Sequence, residues 1–205
     1  MDSTVFQTLV QRLHNVNSNL LKVTQDLSFE QLCKRPSLTA PPIGWHLWHI
    51  SRWSDRFQAS FPKRGDGLSK EYSNPNRDLW HIENLAAQWD LSPTTLGVLE
   101  TGAGMEHDVA ATIPKIIGKE NMLNYARRVF VASEQALSSL TVSELDHPRT
   151  SILELEILGS SLQEAPGEET TNIADILFHI THANRHLGMI EALRGLLDMN
   201  GTATV

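Results

Sequence analysis

Between residues 4 and 27, Val5, Leu9, Leu13, Val16, Leu20, Leu21 and Val23 recur at intervals near three and four. That is the period of an amphipathic helix, and it predicts a first helix there with Ser3 as its cap. Ser28 and Gln31 have capping-box spacing, which opens a short helical turn ending before Pro36. Pro41 and Pro42 then mark the entry to a second helix through Ile43, Leu47, Ile50, Trp53 and Phe57, reaching about Ser60. Residues 62–77, rich in Pro, Gly, Ser and Asn, read as a long loop. A middle helix is predicted over 78–90, carrying Leu79, Ile82 and Leu85, and a short one follows Ser92.

Helical period returns over 116–140 through Met122, Tyr125, Val129, Val131 and Leu137, interrupted by Gly118 near its start. The stretch 141–170 is mixed, with Ile152, Leu153, Leu155 and Ile157 as a brief extended segment closed by Pro166 and Gly167. The last helix is predicted over 171–199, with Asn200 and Gly201 as its stop. At 1.5 Å per residue it is roughly 40 Å long. Four long amphipathic helices with few strand signals imply an all-α bundle, whose facing helices can build a site in the core. The expectation is a single domain over residues 1–205.

Charge narrows the function classes. Seventeen Lys and Arg against 24 Asp and Glu leave a formal charge of -7, the wrong sign for neutralising the phosphates of a nucleic acid. No secretory signal or membrane span is visible, so a soluble cytoplasmic protein is expected. The lone Cys33 excludes an intramolecular disulfide and is read as a small buried hydrophobe. The five tryptophans are read as core and wall residues rather than a base-stacking platform. Arg52, Asp55 and Arg56 are read as a solvated helix face, and His14, His107 and His147 lack a partner pattern.

Five of the nine histidines fall in two short windows, 46–49 and 179–186. His179, His182 and His186 sit at about 0, 300 and 340 degrees on a helical wheel, hence on one face. The pair His182 and His186, four apart, places imidazoles on successive turns, within reach of one ion. His46 and His49 lie among Trp45, Trp48 and Trp53, where an unpaired imidazole is costly. A metal taking one histidine from the second helix and two from the last satisfies both groups and leaves positions open. Spacing alone does not rank His46 against His49.

The segments PIGWHLWHISRW, residues 42–53, and HANRHLG, residues 182–188, resemble the two signature segments of the DinB/YfiT-like superfamily of metal-binding four-helix proteins. The phrases LSFEQLCKRP and EALRGLL are similar to that family too, so the resemblance spans nearly the whole chain. It implies a metal triad of His49, His182 and His186, with Gly188 as the small residue after the last ligand and His46 and His179 as accessory candidates. It also implies a homodimer, and a low-molecular-weight thiol as cofactor, since characterised members include thiol-dependent transferases and isomerases. The phrase WHLWH is similar, in addition, to the amino-terminal domain of ergothioneine-synthesising iron enzymes. Roughly 50 residues inserted between helix 2 and the helix beginning near Ile116, as loop and short helices, depart from the simplest family pattern.

Two functions follow as expectations. One is a metal-dependent transferase, isomerase or hydrolase acting on a small molecule, with zinc or nickel suited to three imidazoles and iron or manganese as alternatives. No dedicated nucleophile is evident, and the catalytic and cofactor-binding residues are unassigned. The other is a non-catalytic metal-binding structural or interaction protein, whose mark is a fourth protein ligand such as His46 or His179. DNA binding, suggested only by the family's name, is opposed by the acidic charge. Asp175, preceding the histidine pair, is read either as orienting His179 or His182 or as a cap.

Overall fold

The computed structural model describes residues 3–61, 78–150 and 169–201. The predicted loop over 62–77 and the extended segment from Ile152 to the Pro166–Gly167 pair lie outside them. In chain order the helices are α1 (Ser3–Gln25), α2 (Phe29–Cys33), α3 (Ile43–Ser60), α4 (Leu79–Ile82), α5 (Leu85–Gln88), α6 (His107–Ala110), α7 (Ile113–Ile117) and α8 (Lys119–Ser138). Two short strands, β1 (Pro148–Thr150) and β2 (Glu169–Thr171), pair antiparallel with Arg149 opposite Thr170, and α9 (Asn172–Leu196) follows.

Among the described residues the fold is all-α apart from that ribbon. The long helices form a four-helix bundle in which α3 lies between α8 and α9, while α1 packs on α8 and α9 from the opposite side. Leu9, Leu13, Val16, Leu20 and Val23 put the apolar stripe of α1 into the core. Fully burying one such side chain contributes about 1.5–3 kcal/mol. The α2 capping box forms as its spacing predicts: Gln31 N–H donates to Ser28 Oγ at 3.2 Å and Ser28 N–H to Gln31 Oε1 at 2.7 Å. Pro42 occupies the N-cap of α3.

Two predicted helices are broken at left-handed residues. Asn84, at φ 51°, divides the middle helix into α4 and α5. Gly118, at φ 78°, separates α7 from α8, so the helix expected from Ile116 begins three residues later. The turn after Ser92 is the 3-10 segment Pro93–Thr95.

The described part of the insert between α3 and α8 covers the outside of α3 through α4 and α7, and α2, which precedes α3, packs on that helix as well. As a result α3 is buried around nearly its whole circumference, including Arg52, Asp55 and Arg56. The expectation of a solvated face there is wrong: the insert supplies the polar groups that water would otherwise provide. Among the described residues, no helix is long and apolar enough to cross a membrane.

Candidate metal centre

Two helix starts aim the histidines. Pro42 sets the first turn of α3, which carries His46 and His49 on successive turns. The start of α9 is pinned by Ile173 N–H donating to the Leu145 carbonyl at 2.9 Å and Asn172 Nδ2 to the Glu144 carbonyl at 2.7 Å. From that anchor, His179, His182 and His186 all turn inward and are buried.

His49, His182 and His186 come together. Nε2 of His182 lies 3.4 Å from Nε2 of His49 and 3.0 Å from Nε2 of His186. Among the described residues these three histidines form a group whose ligating atoms all lie within 4.8 Å of one another, and it could hold a metal ion. The outer nitrogens are engaged elsewhere. His49 Nδ1 is 2.6 Å from the carbonyl oxygen of Thr101, and a carbonyl only accepts, so the proton sits on Nδ1. In the neutral ring that leaves the lone pair on Nε2, facing the other two imidazoles. His186 Nδ1 is 3.0 Å from His46 Nδ1. Burial, reinforced by the neighbouring imidazoles, holds His186 well below the ordinary histidine range, and burial pushes His46 down to about 3. Both rings are therefore neutral, the form a ligand needs.

A model of the DinB superfamily matches residues 12–190. The chain belongs to the DinB superfamily. No curated protein matches it.

The accessory candidates of this DinB chain stand outside the trio. His46 backs His186 from the far side. His179 stacks on Phe57 with ring centroids 4.4 Å apart, and its Nε2 lies 3.4 Å from Ser54 Oγ. Asp175 is buried in the first turn of α9. Trp45 stacks on His49, with centroids 4.7 Å apart and planes 17° from parallel, and so forms one wall of the centre. Cys33 is half-buried, and burial pushes its thiol up, away from a nucleophile's form. His14 is exposed and paired with Glu134 at 2.9 Å. His81 lies 3.3 Å from Asp78, in the insert.

Sequence reasoning missed the insert's part in the site. Thr101 acts through a carbonyl, which no side-chain pattern marks. Gly102, at φ 92°, rests against the site: a Cβ there would lie 2.8 Å from Trp48, 3.0 Å from Trp45 and 3.2 Å from His49 Nδ1. Also hidden was a buried polar network beneath the site. Arg52 Nη1 and Nη2 bind both oxygens of Asp78 at 3.1 and 3.2 Å, Nη1 reaches Tyr125 Oη at 2.9 Å, and Nε donates to the Glu100 carbonyl at 3.0 Å. Tyr125 Oη–H donates in turn to Asp55 Oδ2 at 2.7 Å, and Asp55 also accepts from the N–H groups of Leu79 and Trp80 at 3.0 and 2.9 Å. The available signal was the run from Trp45 to Trp53, which has no polar side on a wheel and so no face to leave in water.

Proposed function

We propose that His49, His182 and His186 hold a divalent metal ion, and that the protein is a metal-dependent enzyme acting on a small molecule by transfer, isomerisation or hydrolysis. The reading rests on the convergence of three buried Nε2 atoms from two helices, two of them backed at Nδ1. Three imidazoles without a carboxylate favour zinc or nickel, with iron or manganese as alternatives. A bound ion supplies Lewis acidity, lowering the pKa of a thiol or water beside it or polarising a carbonyl. The chain's own part is to keep His186 neutral, fix the direction of His49 and wall the centre with Trp45. A low-molecular-weight thiol is the proposed co-substrate, on the family resemblance alone.

The opposing reading, a purely structural ion, needs a fourth protein ligand. His46 and His179 are engaged with His186 and Ser54 instead, which favours open positions and catalysis. A homodimeric, cytoplasmic protein forming one domain over 1–205 completes the proposal, and the net charge of -7 argues against a nucleic-acid partner. Elemental analysis of protein without a histidine tag tests the metal: about one ion per chain is expected, lost in His49→Ala and His182→Ala while the helical spectrum survives. Wild-type protein that takes up no ion after reconstitution removes the metal reading. A metal-loaded protein whose thiol-transfer and hydrolytic activities are unchanged by chelation removes the enzymatic one.

A further inference from the structure

We infer that Arg52 is a positioning residue for the metal centre: it holds the backbone at Glu100 so that the next carbonyl, that of Thr101, fixes the direction of His49. The inference rests on the metal reading above.

A buried guanidinium is a weak source of stability, because desolvation offsets most of what its pairs return. Arg52 is nevertheless fully buried, and its hydrogen bonds are divided among carboxylates, the Tyr125 hydroxyl and one main-chain carbonyl. That carbonyl belongs to the residue before Thr101. The segment it holds is strained: Leu99 and Glu100 stand at φ 54° and 55°, a left-handed conformation that non-glycine residues keep only when their surroundings impose it. Arg52 Nε holds the Glu100 backbone at 3.0 Å, and Trp80 Nε1 holds its carboxylate at 2.6 Å. The guanidinium also lies 4.5 Å over the Trp80 ring. Gly102 N–H donates to the Leu96 carbonyl at 2.7 Å and closes the turn. Between these anchors the Thr101 carbonyl is presented to His49 Nδ1–H, which leaves Nε2 for the ion. Strain at residues 99 and 100 thus serves to direct one imidazole.

Arg52→Lys keeps a cation beside Asp78 but loses the planar fork that reaches Asp78 and Glu100 together. Zinc affinity, measured by competition with a chelator, is expected to fall about 10–100-fold while the helical spectrum is retained. In metal-free protein, the ring-nitrogen shifts of His49 are expected to leave the fixed Nδ1–H form. Gly102→Ala leaves Arg52 intact and pushes the segment 99–102 off Trp48 and Trp45; the same two changes are expected, and if Arg52→Lys does not fold this variant still tests the Thr101 link on which the inference depends. Tyr125→Phe removes the hydroxyl's bonds to Asp55 and to Arg52 Nη1 but leaves Arg52 Nε on the Glu100 carbonyl, so it should lower stability without moving zinc affinity or the His49 signal. Wild-type affinity and an unchanged His49 signal in either Arg52→Lys or Gly102→Ala overturn the inference, as does an equal loss in Tyr125→Phe. If wild-type protein binds no zinc, the metal reading falls separately, and the metal-free His49 spectra still decide whether Arg52 positions the ring.

Discussion

His46 and the three converging histidines differ in what their removal does. His46 meets the outer nitrogen of His186 and the edge of Trp45, and stands outside the three converging Nε2 atoms. His46→Ala is therefore expected to weaken metal binding by about 10–100-fold without abolishing it, read by chelator competition, whereas deletion of a ligand removes the ion. The pH dependence of stability belongs to the network beneath. Burial works to raise the Asp78 carboxyl, but the Arg52 guanidinium overrides it and holds Asp78 well below the ordinary 3.8. A depressed carboxylate contributes stability that is complete above its unfolded value and is lost as pH falls below 3.8 toward the folded one. The hydrogen bond to Asp78 raises His81 above 6.5, and that contribution runs the other way: it is complete below 6.5 and lost as pH rises through the raised value. Urea denaturation across acid pH should show Asp78→Asn less stable near neutrality, with a shallower acid slope than wild type. The histidine clusters were legible in the sequence because metal ligation is a side-chain property with a spacing. The Thr101 carbonyl was not, because every residue carries one.

At the scale of the element, legibility followed the caps. Ser28 with Gln31 and Pro42 each state a boundary in local chemistry, and α2 and α3 begin where those residues place them, whereas α1 takes in Ser3, read as its cap, and ends at Gln25, two residues before Leu27. The breaks at Asn84 and Gly118 depend on a left-handed backbone that apolar spacing does not register. The junction of α2, α3 and α7 turns on a single position. A Cβ on Gly44 would stand 2.6 Å from Pro114 Cβ and 3.0 Å from the Leu32 carbonyl, and neither backbone-linked neighbour can rotate away. Gly44→Ala is expected to cost about 1–3 kcal/mol through overpacking, seen as a lower urea midpoint with an unchanged slope.

Across the whole molecule, the candidate centre joins α3 to α9, two of the four long helices, through residues more than a hundred positions apart in the chain. An ion bound only by the folded state stabilises all of it: zinc at 100 times its dissociation constant should add about 2.7 kcal/mol. Thermal unfolding with and without zinc measures this, and His182→Ala should show no such dependence. The bundle itself was readable from four apolar periods. The role of the insert was not, because Arg52 and Asp55 meet partners such as Asp78 and Tyr125 only after the chain has folded back over α3. That enclosure of α3 has a consequence in time as well as in space. A helix wrapped around nearly its whole circumference exposes few of its amides, so its amide protons reach solvent mainly through openings that displace the insert or part the bundle. In deuterated water α3 should then be among the last segments to exchange, and the rate at which it does so is the rate at which its neighbours let go.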